Sequence, residues 1–257
     1  MLFIGKLIYS TLSSKSKVEN LQQTIRDVEW QSILNFINEN ASFLDVGCGA
    51  GYAMQRAKND KNCIITGVDP EPNKHGVGRY EKDRISIDFQ ILKGFSENLP
   101  LGNESFDVVY SSHVLEHVNN EIKSLKEFNR VLRKDGIVII GVPTASMALI
   151  NLISQIFFTT HIKIYEFFRF LPKKCSFKRF LSIFRITSHS IPRASSIWYD
   201  IVYYRTKRWK NLIENEFEIR EIIYPLLYPY PDYLQFFKAR KFNRISSSVF
   251  FICKKKS

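Results

Sequence analysis

The sequence predicts an α/β protein with a doubly wound, Rossmann-like, mostly parallel sheet, helices on both of its faces, and a helical, basic insertion late in the chain. Three observations carry this. Apolar runs of strand length alternate with amphipathic runs of helix length through the first 146 residues. One of those strands runs into a glycine-rich turn and then a helix. Beyond Ser146 the alternation lapses until Trp209, and charge and aromatic content change with it.

Residues 18–38 place Leu21, Ile25, Val28, Ile33, Leu34 and Ile37 at helical spacing, an amphipathic lead-in helix. Residues 43–46 form a short apolar strand ending in glycines, and 64–68 a second ending at Asp69. Residues 88–92, 106–110 and 137–142 read as the third, fourth and fifth strands. Helices are expected between them at 50–58, 73–82 and 119–133, the last with Ile122, Leu125, Phe128, Val131 and Leu132 along one side. Strands alternating with helices imply βαβ units and a parallel sheet covered on both faces. Residues 209–215 then read as a helix, and 217–224 and 247–253 as two further strands. The organisation expected is a lead-in at 1–39, a core at 40–144, a basic aromatic cap at 145–205, and completion of the sheet at 206–257.

The chain has 257 residues and a net charge of +12, and its 45% hydrophobic content excludes disorder and fibrous repeats. Cys48, Cys63, Cys175 and Cys253 lack metal-finger spacing and fit reduced cytosolic thiols. The run 137–162 has no Asp, Glu, Lys or Arg, yet Gly141, Pro143 and Asn151 interrupt it, so it is not read as a membrane span. Residues 1–12, apolar around Lys6, read as a docking segment without a cleavage site.

Charge divides the chain. Residues 1–146 hold 17 Lys+Arg against 18 Asp+Glu, whereas residues 147–257 hold 20 against 7 and carry 24 of the 36 aromatic side chains.

The most informative stretch is Phe43-Leu-Asp-Val-Gly-Cys-Gly-Ala-Gly51. In an open parallel sheet, ligands bind beyond the carboxyl ends of the strands, so this turn faces the crevice. Its spacing is GxGxG, not the GxGxxG of dinucleotide sites. Asp69, ending the second strand, is placed to accept both hydroxyls of a ribose.

Here the sequence resembles the class I S-adenosylmethionine-dependent methyltransferases. The resemblance rests on Asp45-Val-Gly-Cys-Gly-Ala-Gly51, Gly67-Val-Asp69, Leu99-Pro100 with Ser105-Phe-Asp-Val-Val109, Val114-Leu-Glu-His-Val118, and Arg130-Val-Leu-Arg-Lys-Asp-Gly136, in family order over about residues 40–145. It implies a seven-stranded sheet with an antiparallel last strand, and S-adenosyl-L-methionine as cofactor. It also implies that Asp45 lies near the methionine amino group and that Gly47, Cys48, Gly49 and Gly51 wrap the cofactor. Asp69 would hold the ribose, Pro70 would lie against the adenine, and backbone at Ser111 and Ser112 would face the methionine end. The family often has an acid where Phe95 stands, which leaves Ser96 and Glu97 as the nearest acceptors for the adenine amino group.

His113-Val-Leu-Glu116-His117 also matches an H-x-x-E-H zinc-protease signature, but that motif belongs on a helix and His113 ends a strand. No metal is assigned. Methyl transfer from a sulfonium needs positioning and desolvation, and an alcohol acceptor gains from a base that titrates near neutrality. His113, at the strand end, is the first candidate base and His189 the second; each competes with a purely structural histidine.

Residues 163–210 hold 12 Lys+Arg and two acids, interleaved with phenylalanines. Such a segment suits an anionic membrane surface, single-stranded nucleic acid, or a solvated face over its own core. Phenylalanine at helical spacing favours the membrane or lipid-linked reading over nucleic acid. The order His189, Tyr199, Trp209, Phe217 is similar to the tail of methyltransferases of bacterial surface-polysaccharide pathways.

The function expected is therefore O-methylation of a sugar or lipid-linked glycan by a cytoplasmic enzyme, peripheral on the inner membrane face. The alternatives are methylation of a quinone or other lipophilic small molecule, an RNA methyltransferase, and an inactive S-adenosylmethionine-binding protein.

Overall fold

The computed structural model describes residues 15–72, 74, 89–159, 161, 164, 197–228 and 239–256. The strands are β1 (Ser42–Val46), β2 (Ile64–Asp69), β3 (Gln90–Lys93), β4 (Phe106–Ser112), β5 (Leu132–Pro143), β6 (Phe217–Ile223) and β7 (Ser248–Lys255). The helices are α1 (Lys15–Ile33), α2 (Tyr52–Lys61), α3 (Glu121–Val131), α4 (Ala145–Ser154), α5 (Ile197–Tyr203) and α6 (Thr206–Ile213). A 3-10 turn, Leu34–Phe36, follows α1, and a wider π-helical turn, Gln155–Thr159, extends α4.

The strands pair in the order β3-β2-β1-β4-β5-β7-β6, with β7 antiparallel to both β5 and β6. This is the doubly wound, seven-stranded, mostly parallel sheet expected. Because successive side chains of a strand point to opposite faces, each central strand feeds two cores. Leu44, Val109, Ile140 and Phe251 join one, under α3, α4, α5 and α6. Phe43, Val108, Ile139 and Phe250 join the other, under α1 and α2.

Capping sets where the helices begin. Asn120 accepts the Lys123 amide at 3.0 Å to start α3, and Thr144 accepts that of Met147 at 3.3 Å to start α4. β5 ends at Pro143, so α4 leaves the sheet edge with only Thr144 between them. Arg130 on α3 donates to the carbonyls of Leu101 at 2.7 Å and Leu99 at 3.1 Å, while Glu127 accepts the Leu99 amide at 2.8 Å. The Leu99-Pro100 and Arg130 motifs thus lock a loop to a helix.

Several expectations change. Val28 faces solvent and Trp30 occupies the core instead, edge-on to Phe43 and Tyr110. β3 starts at Gln90, two residues late, and β5 reaches back to Leu132, which pairs with Phe106 across an irregularity. Within the stretch expected as the cap, both α4 and α5 send side chains into the core. Residues 1–12 and 75–82 lie outside the described residues. No helix among the described residues is long and apolar enough to cross a membrane.

Candidate active site

The carboxyl ends of β1, β2 and β4 deliver Asp45, the glycine turn, Asp69, Ser111 and His113 to one edge of the sheet. The turn is built by backbone hydrogen bonds to β2. The Gly47 amide donates to the Val68 carbonyl at 2.7 Å, and the Gly49 amide to Asp69 Oδ2 at 2.8 Å. Gly47, Gly49 and Gly51 have φ of +76°, +52° and +81°. At Gly47 a Cβ would also stand 2.2 Å from Val114 Cγ2, so only glycine fits. Asp69 Oδ1 accepts the Glu71 amide at 2.7 Å. Both oxygens of the expected ribose acceptor therefore already fix backbone. A carboxylate keeps further lone-pair sites for a ligand.

Asp45 is buried. Its strand neighbour is Tyr110, on the face covered by α1. Burial, then the charge of Asp69, pushes its carboxyl up to about 8. Cys48 is a buried free thiol, pushed above the ordinary thiol range by burial and then by Asp45 and Asp69.

On β4, the Ser111 hydroxyl is buried with no hydrogen-bond partner. His113 follows the strand with φ +57°, a left-handed backbone uncommon outside glycine, and its amide donates to the Gly141 carbonyl at 2.9 Å. Its Nδ1 lies 3.3 Å from Oε1 of the buried Glu116, and His117 Nε2 lies 3.9 Å from the same oxygen. His113 Nε2 is buried and makes no hydrogen bond. The imidazole thus has a carboxylate near one ring nitrogen and no hydrogen bond on the other.

On the adenine side the outcome is mixed. Pro70 follows Asp69 and is half-buried, and Phe95 extends into solvent, 64% exposed. The Ser96 hydroxyl is buried between Ser124 Oγ at 2.9 Å and Glu97 Oε2 at 3.1 Å, a contact with α3. His189 lies outside the described residues. Among the described residues, no group of three or more His, Cys, Asp or Glu side chains could hold a metal ion.

Sequence reasoning missed a buried polar cluster. Glu29 of α1 pairs with Arg26 and accepts from Tyr228 Oη at 2.8 Å and from the Ser248 hydroxyl. Burial acts to raise its carboxyl, but Arg26, His113 and the two hydroxyls outweigh that and hold it below the ordinary range. The signal was present, because Glu29 falls on the stripe Ile25, Glu29, Ile33, where a charge interrupts an apolar face.

Residues 44–140 match the methyltransferase domain family. A ubiquinone/menaquinone biosynthesis C-methyltransferase of Campylobacter jejuni is 29% identical over 126 residues, 44% of this chain and 52% of that one. A tRNA U34 carboxymethyltransferase of Shewanella frigidimarina is 33% identical over 124 residues, 43% of this chain and 34% of that one. Among solved structures, a SAM-dependent methyltransferase of Thermotoga maritima, described as a possible histamine N-methyltransferase, is 20% identical. It superposes with a TM-score of 0.55 over 92% of this chain and 91% of its own, a likeness of fold. The chain spans about half the length of the quinone-pathway relatives it matches.

Proposed function

We propose that this chain is a class I S-adenosylmethionine-dependent methyltransferase that methylates an oxygen of a small or lipid-linked glycan acceptor, with His113 as base; the match of residues 44–140 to the methyltransferase domain family supports the reading. The observation that carries the reading is the buried, bare Nε2 of a histidine whose other nitrogen faces Glu116.

The residues fit the cofactor. Asp45 is a buried acid beside a second acid, which favours an incoming cation such as the methionine ammonium. When bound, S-adenosylmethionine supplies an electrophilic methyl group on a sulfonium. In this reading the turn formed by Gly47, Cys48, Gly49 and Gly51 wraps it by close backbone approach, Asp69 holds the ribose, and Pro70, Phe95 and Ser96 border the adenine. Ser111 lies at the methionine end. His113 Nε2 takes the proton of the acceptor hydroxyl as the oxygen becomes nucleophilic, and Glu116 stabilises the resulting imidazolium. His189 is held as a second candidate base. The free thiols of Cys48, Cys63 and Cys253 accord with a reducing, cytoplasmic setting.

Methylation of a quinone or other lipophilic molecule is the second reading, favoured by the Campylobacter relative. One experiment separates them. The purified chain is incubated with host-cell extract and S-adenosylmethionine labelled on its methyl group, and the products are fractionated. Label in an oxygen-linked methyl of polysaccharide or lipid-linked sugar supports the first reading. Label on a ring carbon of a lipid supports the second. Label in nucleic acid, or none in any fraction, overturns both.

A further inference from the structure

Six large apolar side chains of α4, its π-helical turn and α5 are 40–67% exposed: Leu149, Ile153, Ile156, Phe157, Trp198 and Val202. They are not scattered. Leu149, Ile153 and Ile156 follow at steps of four and three along one helix side, with Phe157 beside them, and Trp198 and Val202 are four apart on α5. The two helices pack on each other, and their other sides are spent on the core through Met147, Ala148, Leu152 and Ile197. An exposed apolar face of this kind on a folded chain marks an interaction surface.

The sequence between the two helices says what it meets. Residues 160–196 carry eight Lys+Arg, one Glu and seven aromatic residues. In sequence this cationic stretch connects the two helices that carry the apolar face. An apolar face tethered to such a stretch matches the acyl boundary and headgroups of an anionic bilayer, and tryptophan favours that interface. A second copy of the chain would bring the same positive charge to the contact and be repelled. Among the described residues neither helix is long enough to span a bilayer, and the contact proposed is tangential.

We propose that this face of α4 and α5 docks on the surface of an anionic lipid bilayer. Because α4 starts one residue beyond β5, docking brings the bilayer beside the edge that carries Asp45 and His113. The purpose of docking, delivery of a lipid-borne acceptor, rests on the reading above; the docking itself does not.

The test is co-sedimentation with phosphatidylcholine vesicles, with and without phosphatidylglycerol, for the full chain and for the variant L149Q/I153Q/W198Q/V202Q. Wild type should partition at least about tenfold more onto the anionic vesicles. The variant, with unchanged circular dichroism and S-adenosylhomocysteine affinity, should lose about tenfold of that binding. Equal partition of wild type onto both vesicles, or undiminished binding by the variant, overturns the proposal. So does a wild-type dimer in sedimentation velocity that the variant dissolves while vesicle binding persists. A chain that pellets with vesicles but binds no S-adenosylhomocysteine sinks the methyltransferase reading and leaves the docking standing; the reverse result sinks only the docking.

Discussion

Replacing Asp45 by Asn tests the cofactor reading at its most specific point. The carboxyl is raised from 3.8 to about 8, so at pH 7 it is about nine-tenths protonated in the ligand-free chain. An ammonium arriving beside it needs the ionised form. The ligand's α-amino group is that of a free amino acid and stays protonated through neutrality, so the fraction of the charged pair follows the carboxylate and rises about ninefold from pH 6 to 7. It gains about fivefold more by pH 8 and then levels off. Binding at pH 7 should release about 0.9 proton. Isothermal titration with S-adenosylhomocysteine, in buffers of different ionisation enthalpy, reads both quantities. Asp45→Asn should abolish the rise and the proton release. The same substitution has a signed effect on stability. A raised folded pKa stabilises fully below the unfolded value and loses that contribution as pH rises towards 8. Asp45→Asn should therefore stabilise the ligand-free chain at pH 7–8, by at most about 5 kcal/mol. Flat wild-type affinity between pH 6 and 8, or an equal rise in the variant, would refute the placement of the ammonium against Asp45.

Three further outcomes are expected. His113→Asn, chosen because asparagine tolerates a left-handed backbone, should lower kcat about 10²- to 10³-fold with S-adenosylhomocysteine affinity within about twofold; near-normal turnover excludes His113 as the base. Gly47→Ala should cost about 2–3 kcal/mol in urea unfolding, and adding Val114→Ala should recover the collision but not the backbone strain, about 1 kcal/mol. Glu29→Gln keeps the shape but leaves Arg26 without its charge partner, costing about 3 kcal/mol at pH 7. Because the Glu29 pKa is lowered on folding, its contribution is present above the ordinary carboxylate range and lost on acidification. The penalty should therefore shrink towards pH 4, and a penalty independent of pH would show that the charge is not what matters.

What the sequence made legible was local. The strand running into Gly47–Gly51 and the carboxylate ending β2 are patterns within a few residues, and the structure joins them through the Gly49–Asp69 hydrogen bond. Periodicity placed Leu125, Phe128 and Val131 of α3 correctly in the core, but Ile122 of the same expected stripe is exposed and Leu132 belongs to β5. It failed where a partner lies far along the chain. Trp30 is in the core because Phe43 and Tyr110 meet it, and Val28 is not. The Ser96 hydroxyl looks like a ligand contact from its position, yet Ser124, 28 residues on, claims it. The early start of β5 was hidden because Leu132 and Arg133 continue the helical pattern expected over 119–133 and Arg133, Lys134 and Asp135 are exposed, while the backbone pairs Leu132 with Phe106.

The Glu29 cluster has a consequence for how the molecule assembles. The acid sits on the first described helix, but two of its partners, Tyr228 and Ser248, are 199 and 219 residues away. Until the closing strand β7 has been made and has slotted between β5 and β6, the carboxylate lacks both hydroxyls, and α1 has an incomplete seat over Tyr110. Contacts of such separation form late, after the loop between them has been closed. On the ribosome, the first described helix thus completes its docking only when the seventh strand arrives.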